Sequence, residues 1–189
     1  MFSIKADLFF QEPGVQPSIP GQLGILYLLR RDALQCLGVD PNTSMPTMPK
    51  AIWPGTMTVL AGVDLLGKFH AGNDNSGEVG QRFQNFVRSY FPQLNQGDET
   101  AIYQLRNALL HSFGLYSTFK SEIFRFTVTC DRRQLVTRVD NENVLVDLAT
   151  LHDEFEQAVR NYQCELDKSP ALQSNFTNMF PKYGFTHIG

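Results

Sequence analysis

Apolar residues recur at helical spacing through most of the chain, and at a spacing of two only between residues 122 and 139. Leu23, Leu26, Leu29, Ala33 and Leu37 predict a helix over about 22–36, which Gly38 ends. A second helix, over about 56–70, is apolar nearly all round. It contains Gly62 and Gly67, the pattern of a central helix packed closely on several sides. Val79, Phe83, Phe86, Val87 and Tyr90 form the buried stripe of a third, which Phe91-Pro92 stops. Asp98 is the expected N-cap of a fourth helix, which continues to about residue 113 before Gly114. The fifth is the most regular. Asp147 caps it, and Leu148, Leu151, Phe155, Val159, Tyr162 and Leu166 keep the 3-4 spacing. Pro170 opens a last short helix.

Between the fourth and fifth helices the period changes. Phe124, Phe126, Val128 and Cys130 share one face, and Leu135 to Val139 follow the charged turn Asp131-Arg132-Arg133. That predicts a β-hairpin, joined by a third strand at 143–146. The first twenty residues hold three prolines and a Pro13-Gly14 turn and read as an extended arm. Residues 38–54, with Pro41, Pro46, Pro49 and Pro54, read as a surface loop. The expected fold is mainly α: a single domain over 1–189, an antiparallel helical bundle with a β-hairpin insertion at 122–146.

Hydrophobic residues make up 42% of the chain and 15 residues are Phe, which supplies a core and excludes a disordered chain. With 16 Lys+Arg against 19 Asp+Glu the net charge is -3, so any contact with nucleic acid must come from a local cleft. The N-terminal residues carry a charge within their apolar stretch and no small-residue cleavage site, and no apolar run approaches a membrane span. Cys36, Cys130 and Cys164 are odd in number and scattered, as for thiols in a reducing compartment. A cytoplasmic protein without membrane association is expected, and the sequons at Asn42 and Asn175 are then chance matches.

Several kinds of chemistry find no support in the pattern. There is no G-x-G-x-x-G or P-loop, and His70, His111, His152 and His187 do not take zinc-ligand spacing, so neither cofactor nor metal is expected. Ser117 and Lys120 match S-x-x-K without its partner motifs. Asp153, Glu154 and Glu156 read as a solvated acidic face, and His152 as a packing residue at its edge.

One stretch differs. In Tyr103-Gln104-Leu105-Arg106-Asn107-Ala108-Leu109-Leu110-His111, a helical wheel puts Ile102, Leu105, Leu109 and Phe113 on one stripe, with Arg106 in it or at its edge. A guanidinium there needs an acid, a wet cleft or an anionic ligand, because an unpaired buried charge costs several kcal/mol. Asn107 and His111 share a face at i, i+4, where the amide can orient the imidazole. Arg106 and His111 lie about 140° apart round the axis and about 7.5 Å along it. On that wheel both line one cleft only beneath a second surface, such as a facing copy of the same helix. Asp64 and Tyr103 are candidate supporting residues. Asp64 has two readings, a surface partner of Lys68, which the i, i+4 spacing favours, or a partner of Arg106.

Arg106-Asn107-Ala108-Leu109-Leu110-His111, late in a helix, resembles the Arg-x4-6-His motif of the HEPN superfamily. The resemblance implies a helical bundle that dimerises through helix 98–113 with the two motifs facing each other. It further implies a metal-independent endoribonuclease, of a toxin or defence kind, that can be paired with an antitoxin protein. Arg106 and His111 would be catalytic, with Asn107 orienting the base, and the products would carry a 2′,3′-cyclic phosphate and a 5′-OH. Two features depart from the family. Members partnered with nucleotidyltransferase antitoxins often carry Tyr two residues after the His, where this chain has Phe113, and Tyr116 follows three further on. The 122–139 hairpin is also foreign to the minimal bundle. The competing reading is a catalytically inert HEPN-like dimer that binds or scaffolds, with Arg106 paired to Asp64 and His111 on the surface.

Overall fold

The computed structural model describes residues 2–15, 19–47 and 50–187. In chain order they form α1 (Phe2–Phe9), β1 (Gln22–Gly24), α2 (Ile25–Cys36), α3 (Ile52–Ala71), α4 (Val79–Tyr90) and α5 (Asp98–Ser112). There follow β2 (Tyr116–Phe119), β3 (Glu122–Thr129), β4 (Val136–Arg138), β5 (Asn143–Asp147), α6 (Leu148–Leu166), α7 (Pro170–Tyr183) and β6 (Phe185–His187). The expected mainly-α bundle is therefore incorrect. Seven α-helices combine with a two-stranded and a four-stranded sheet in an α/β mix.

The central helix is where its composition puts it. α3 packs against α2, α4, α5, α6, α7 and β3. Its Val59, Leu60, Val63, Leu66 and Phe69 are fully buried. Gly62 lets α6 approach, since a Cβ there would meet the Phe155 ring at 2.5 Å. The helix starts earlier than its apolar stripe, at Ile52, because Pro54 falls in the first turn, where its missing N–H has no intrahelical partner to lose.

The hairpin at 122–146 does not form. The larger sheet has the order β2-β3-β5-β4, so β5 separates the two strands expected to pair. β3 and β5 run parallel, with Phe126 opposite Val144 and Val128 opposite Val146, while β4 lies antiparallel on the far side of β5. Alternation reveals which side chains share a face but not which strand lies alongside, and Val136 of the outer β4 is as buried as Val144 of the inner β5. Asp147 fixes the crossing. Its Oδ2 accepts from the Asp131 N–H at 2.7 Å and from Thr129 Oγ1 at 3.0 Å, while its Oδ1 accepts from the Thr150 N–H at 2.9 Å and caps α6.

The N-terminal segment is likewise not an arm. α1 delivers Leu8, Phe9 and Phe10 into the core, and β1 pairs antiparallel with β6. Pro17 and Pro49 lie outside the described residues. α7 is a full helix of 14 residues with Ser169 as its N-cap, rather than a short one.

Candidate functional site

The site is built on the last turn of α5. Ala101, Ile102, Leu105, Ala108 and Leu109 face the core and fix the roll of the helix. Phe113 then takes a left-handed conformation (φ 47°), and the Gly114 N–H donates to the Ala108 carbonyl at 3.0 Å. The helix thus ends at Ser112, one residue past the exposed His111.

Arg106 and His111 meet within one chain. Arg106 Nη1 lies 2.6 Å from His111 Nε2 and donates to Asn107 Oδ1 at 3.1 Å. Nη2 donates to Asp64 Oδ2 of α3 at 2.7 Å. A guanidinium only donates, so His111 Nε2 presents its lone pair to it and the ring proton belongs on Nδ1. Arg106 is buried, and its Nε has no hydrogen-bond partner among the described residues.

Three expectations change. Asp64 pairs with Arg106 rather than Lys68, whose Nζ instead sits 4.5 Å from the Tyr183 ring centre. Asn107 contacts the guanidinium and not the imidazole, so its orienting effect on His111 passes through Arg106. The pair also needs no second copy to come together. The wheel treated side chains as radial spokes, whereas a long arginine stem carries its charged end away from its own position.

Beside this pair lies a groove of about 670 Å³, between α5 and β2, lined by Tyr103, Asn107, His111, Ser112, Tyr116 and Phe119 among others. Tyr103 makes no hydrogen bond to Arg106 or His111 among the described residues. It packs on Phe83, at 5.5 Å between ring centres, and over Gly80. Gln104 accepts from Ser117 Oγ at 2.6 Å, which ties the two walls together. The sequence reading missed β2. Its only local signal was the β-forming run Tyr116-Ser117-Thr118-Phe119 ahead of a turn at Lys120.

The acidic face of α6 is solvated only at Asp153, which is exposed and pairs with Arg132. Glu154 is buried, and its carboxyl is pushed up by burial. Glu156 accepts from fully buried Arg30, which also donates to Glu12 and to the carbonyls of Phe10 and Gln11. His152 is buried as a packing residue. That cluster anchors the end of α1 to α2 and α6.

Among the described residues no group of three or more His, Cys, Asp or Glu side chains could hold a metal ion. No helix among them is long and apolar enough to cross a membrane. Compared with known protein families, curated proteins and solved structures, the chain matches none, so its resemblance to the HEPN superfamily rests on the Arg106–His111 motif alone.

Proposed function

We propose that the protein is a metal-independent endoribonuclease of HEPN type, with His111 as general base and Arg106 as the phosphate ligand. The observation that carries this reading is the 2.6 Å contact between Arg106 Nη1 and an exposed His111, at the rim of an open groove. RNA cleavage without metal needs a base for the 2′-OH proton and a cation for the charge developing on phosphorus. A phosphate oxygen that takes over Nη1 frees the Nε2 lone pair, and Nε2 can then accept the 2′-OH proton. The 2′-oxygen forms its bond to phosphorus as the bond to the 5′-oxygen breaks, and the 5′-oxygen leaves with a proton from water. The products are a 2′,3′-cyclic phosphate and a 5′-OH.

The superfamily reading brings a symmetric dimer through helix 98–113. Support comes from Phe113, a bulky residue 73% exposed in a left-handed conformation at the end of that helix. A second reading, the inert binding or scaffolding module, is favoured by the Asp64–Arg106 ion pair, which gives Arg106 a structural role of its own.

The test is cleavage of labelled RNA in EDTA, with product ends identified. His111→Ala should lower the rate by about 10²–10⁴ and, because the residue is exposed but accepts from Arg106, cost no more than about 1.5–3 kcal/mol of stability. Intact RNA across a broad panel, or full activity in His111→Ala, would leave the inert module as the reading.

A further inference from the structure

The groove beside His111 has the wrong lining for a phosphate backbone and the right one for bases. Its lining holds no Lys, Arg, Asp or Glu, and two of the exposed large aromatics among the described residues, Tyr116 and Phe119, belong to it. Each aromatic has a cation over its face. The Arg125 guanidinium lies 5.3 Å from the Tyr116 ring centre, and Lys120 Nζ lies 5.4 Å from that of Phe119. An exposed ring is a platform on which an unpaired base can stack, and a long cationic side chain held over the ring can give up that face to the base and turn to its phosphate.

The groove also continues. Phe119 lines a second hollow of about 770 Å³, together with Lys120, Arg138 and Thr100, so the β2–β3 turn stands between two spaces along one side of α5. α5 is 15 residues long, or about 22 Å at 1.5 Å per residue, which gives a path longer than one nucleotide. Glu122 and Asp140 line the far hollow with the two cations, so that end offers no net positive field. A duplex fits this surface poorly. Its bases are already stacked inside the helix, and binding its regular backbone needs basic residues that the groove lacks.

We infer that the face formed by α5 and the β2–β3 turn is a track for single-stranded RNA, with Tyr116 and Phe119 as base-stacking platforms that lead the strand to His111. The assignment to RNA rests on the endoribonuclease reading, in which the 2′-hydroxyl is the group His111 deprotonates. The track itself stands on the aromatic and cation geometry.

The test uses His111→Ala protein and a fluorescent single-stranded RNA of about ten nucleotides, with binding read by anisotropy against the same sequence in a duplex. Single strand should bind at least about tenfold more tightly than duplex. Tyr116→Ala and Phe119→Ala should each weaken binding about five- to 150-fold, while Phe119→Trp should retain it. Circular dichroism melts verify that each variant folds. With few cations on the path, the slope of log affinity against log salt should be shallow, near -1 to -2. Equal binding of duplex and single strand, or unchanged binding in both alanine variants, overturns the track. The two proposals fail separately. Wild-type cleavage that is indifferent to Tyr116→Ala and Phe119→Ala refutes the track and spares the active site. Tyr116-dependent binding by a protein that never cleaves refutes the nuclease and spares the track.

Discussion

Arg106→Ala should be costly to the fold, and the cost can be worked from its surroundings. The Arg106 and Asp64 side chains are 9% and 16% exposed, with Nη2 and Oδ2 2.7 Å apart. Removing the guanidinium leaves the Asp64 carboxylate without its charge partner in a largely dry position, a loss of roughly 3–5 kcal/mol. Asp64 keeps some contact with water, so the lower end, about 3 kcal/mol, is expected. For a chain of this length that lowers Tm by about 6–12 °C. Urea unfolding followed by circular dichroism measures it directly. Asp64→Leu alone strands Arg106 in the same way, whereas the double variant Arg106→Met/Asp64→Leu should recover most of the loss, because an apolar pair of similar volume replaces a buried ion pair at little cost. A coupling energy above about 1.5 kcal/mol is expected between the two sites. Arg106→Ala within about 1 kcal/mol of wild type, or single effects that add to within about 0.5 kcal/mol, would refute the buried-pair argument. The result also bears on the test of the proposed endoribonuclease. A dead Arg106→Ala reports folding and chemistry together, which is why cleavage is better read on His111.

Phe113→Gly relieves a left-handed residue that is 73% exposed, and should raise stability by up to about 1 kcal/mol in the monomer. If Phe113 seals a dimer, sedimentation should show that same variant shifting to monomer; a loss of stability without any change in assembly would assign Phe113 to the monomer's own packing. Gly62→Ala should destabilise by about 1–3 kcal/mol, because the new methyl meets the Phe155 ring at 2.5 Å and the gain in helix propensity does not offset the clash; a higher Tm would refute the close approach of α3 and α6. Burial depresses the imidazoles of His70 and His152, against the opposing pull of Glu165 on the first and of Glu156 and Asp153 on the second. The unfolded chain therefore takes up these protons first. Stability should be at its full value above about pH 6.5 and fall as pH drops below it. His70→Gln/His152→Gln should flatten that fall, an unchanged pH profile would contradict it, and Glu154, whose carboxyl burial pushes up, works in the opposite direction at lower pH.

The elements that could be read from the chain are those whose signals are local. α6 was legible because Asp147 and its stripe from Leu148 to Leu166 lie within one segment. α5 was legible from its stripe, although Gly97 and not Asp98 stands at its N-cap position, and the place of Arg106 on that stripe showed its need for a partner. What could not be read is pairing at a distance. β3 carries the same alternation whether its neighbour is β4 or β5, and the parallel pairing that brings Asn143–Asp147 back beside it is a long-range choice that no local signal marks. α1 was obscured because the prolines that follow it dominate the composition, while its contribution to the core comes from three consecutive residues, Leu8, Phe9 and Phe10, rather than from a stripe. Asp64 misled for a physical reason too. Lys68 stands one turn away at a favourable spacing, but its ammonium is drawn to the Tyr183 ring, and the carboxylate is left for an arginine 42 positions further along.

The candidate site combines both kinds of information, and that combination sets what it can do. Read from α5 alone, Arg106 would be a free fork able to take two oxygens of a phosphate side by side. With Asp64 holding Nη2, one edge of the fork is committed, and Nη1, shared between Asn107 and His111, is the donor left to exchange partners. A phosphate bound in the ground state gains less from net charge than it would from a free guanidinium, since Asp64 partly offsets it, although Nη1 still faces the charge that develops on phosphorus. The phosphate gains orientation instead, because the carboxylate fixes the plane in which Nη1 points. The binding energy must then come from elsewhere along the substrate, and Tyr116 and Phe119 on β2 are the side chains placed to supply it. In the proposed reading, a strand that the sequence concealed and a carboxylate it misassigned together suit a positioned nucleotide better than a diffuse polyanion. The enzyme reading accordingly predicts that dinucleotides too short to reach Phe119 are cut far more slowly than longer single strands, with the deficit in kcat as well as KM, because remote binding is what positions the reacting phosphate. Equal kcat/KM for the two lengths would show that Arg106 and His111 act without help from the groove.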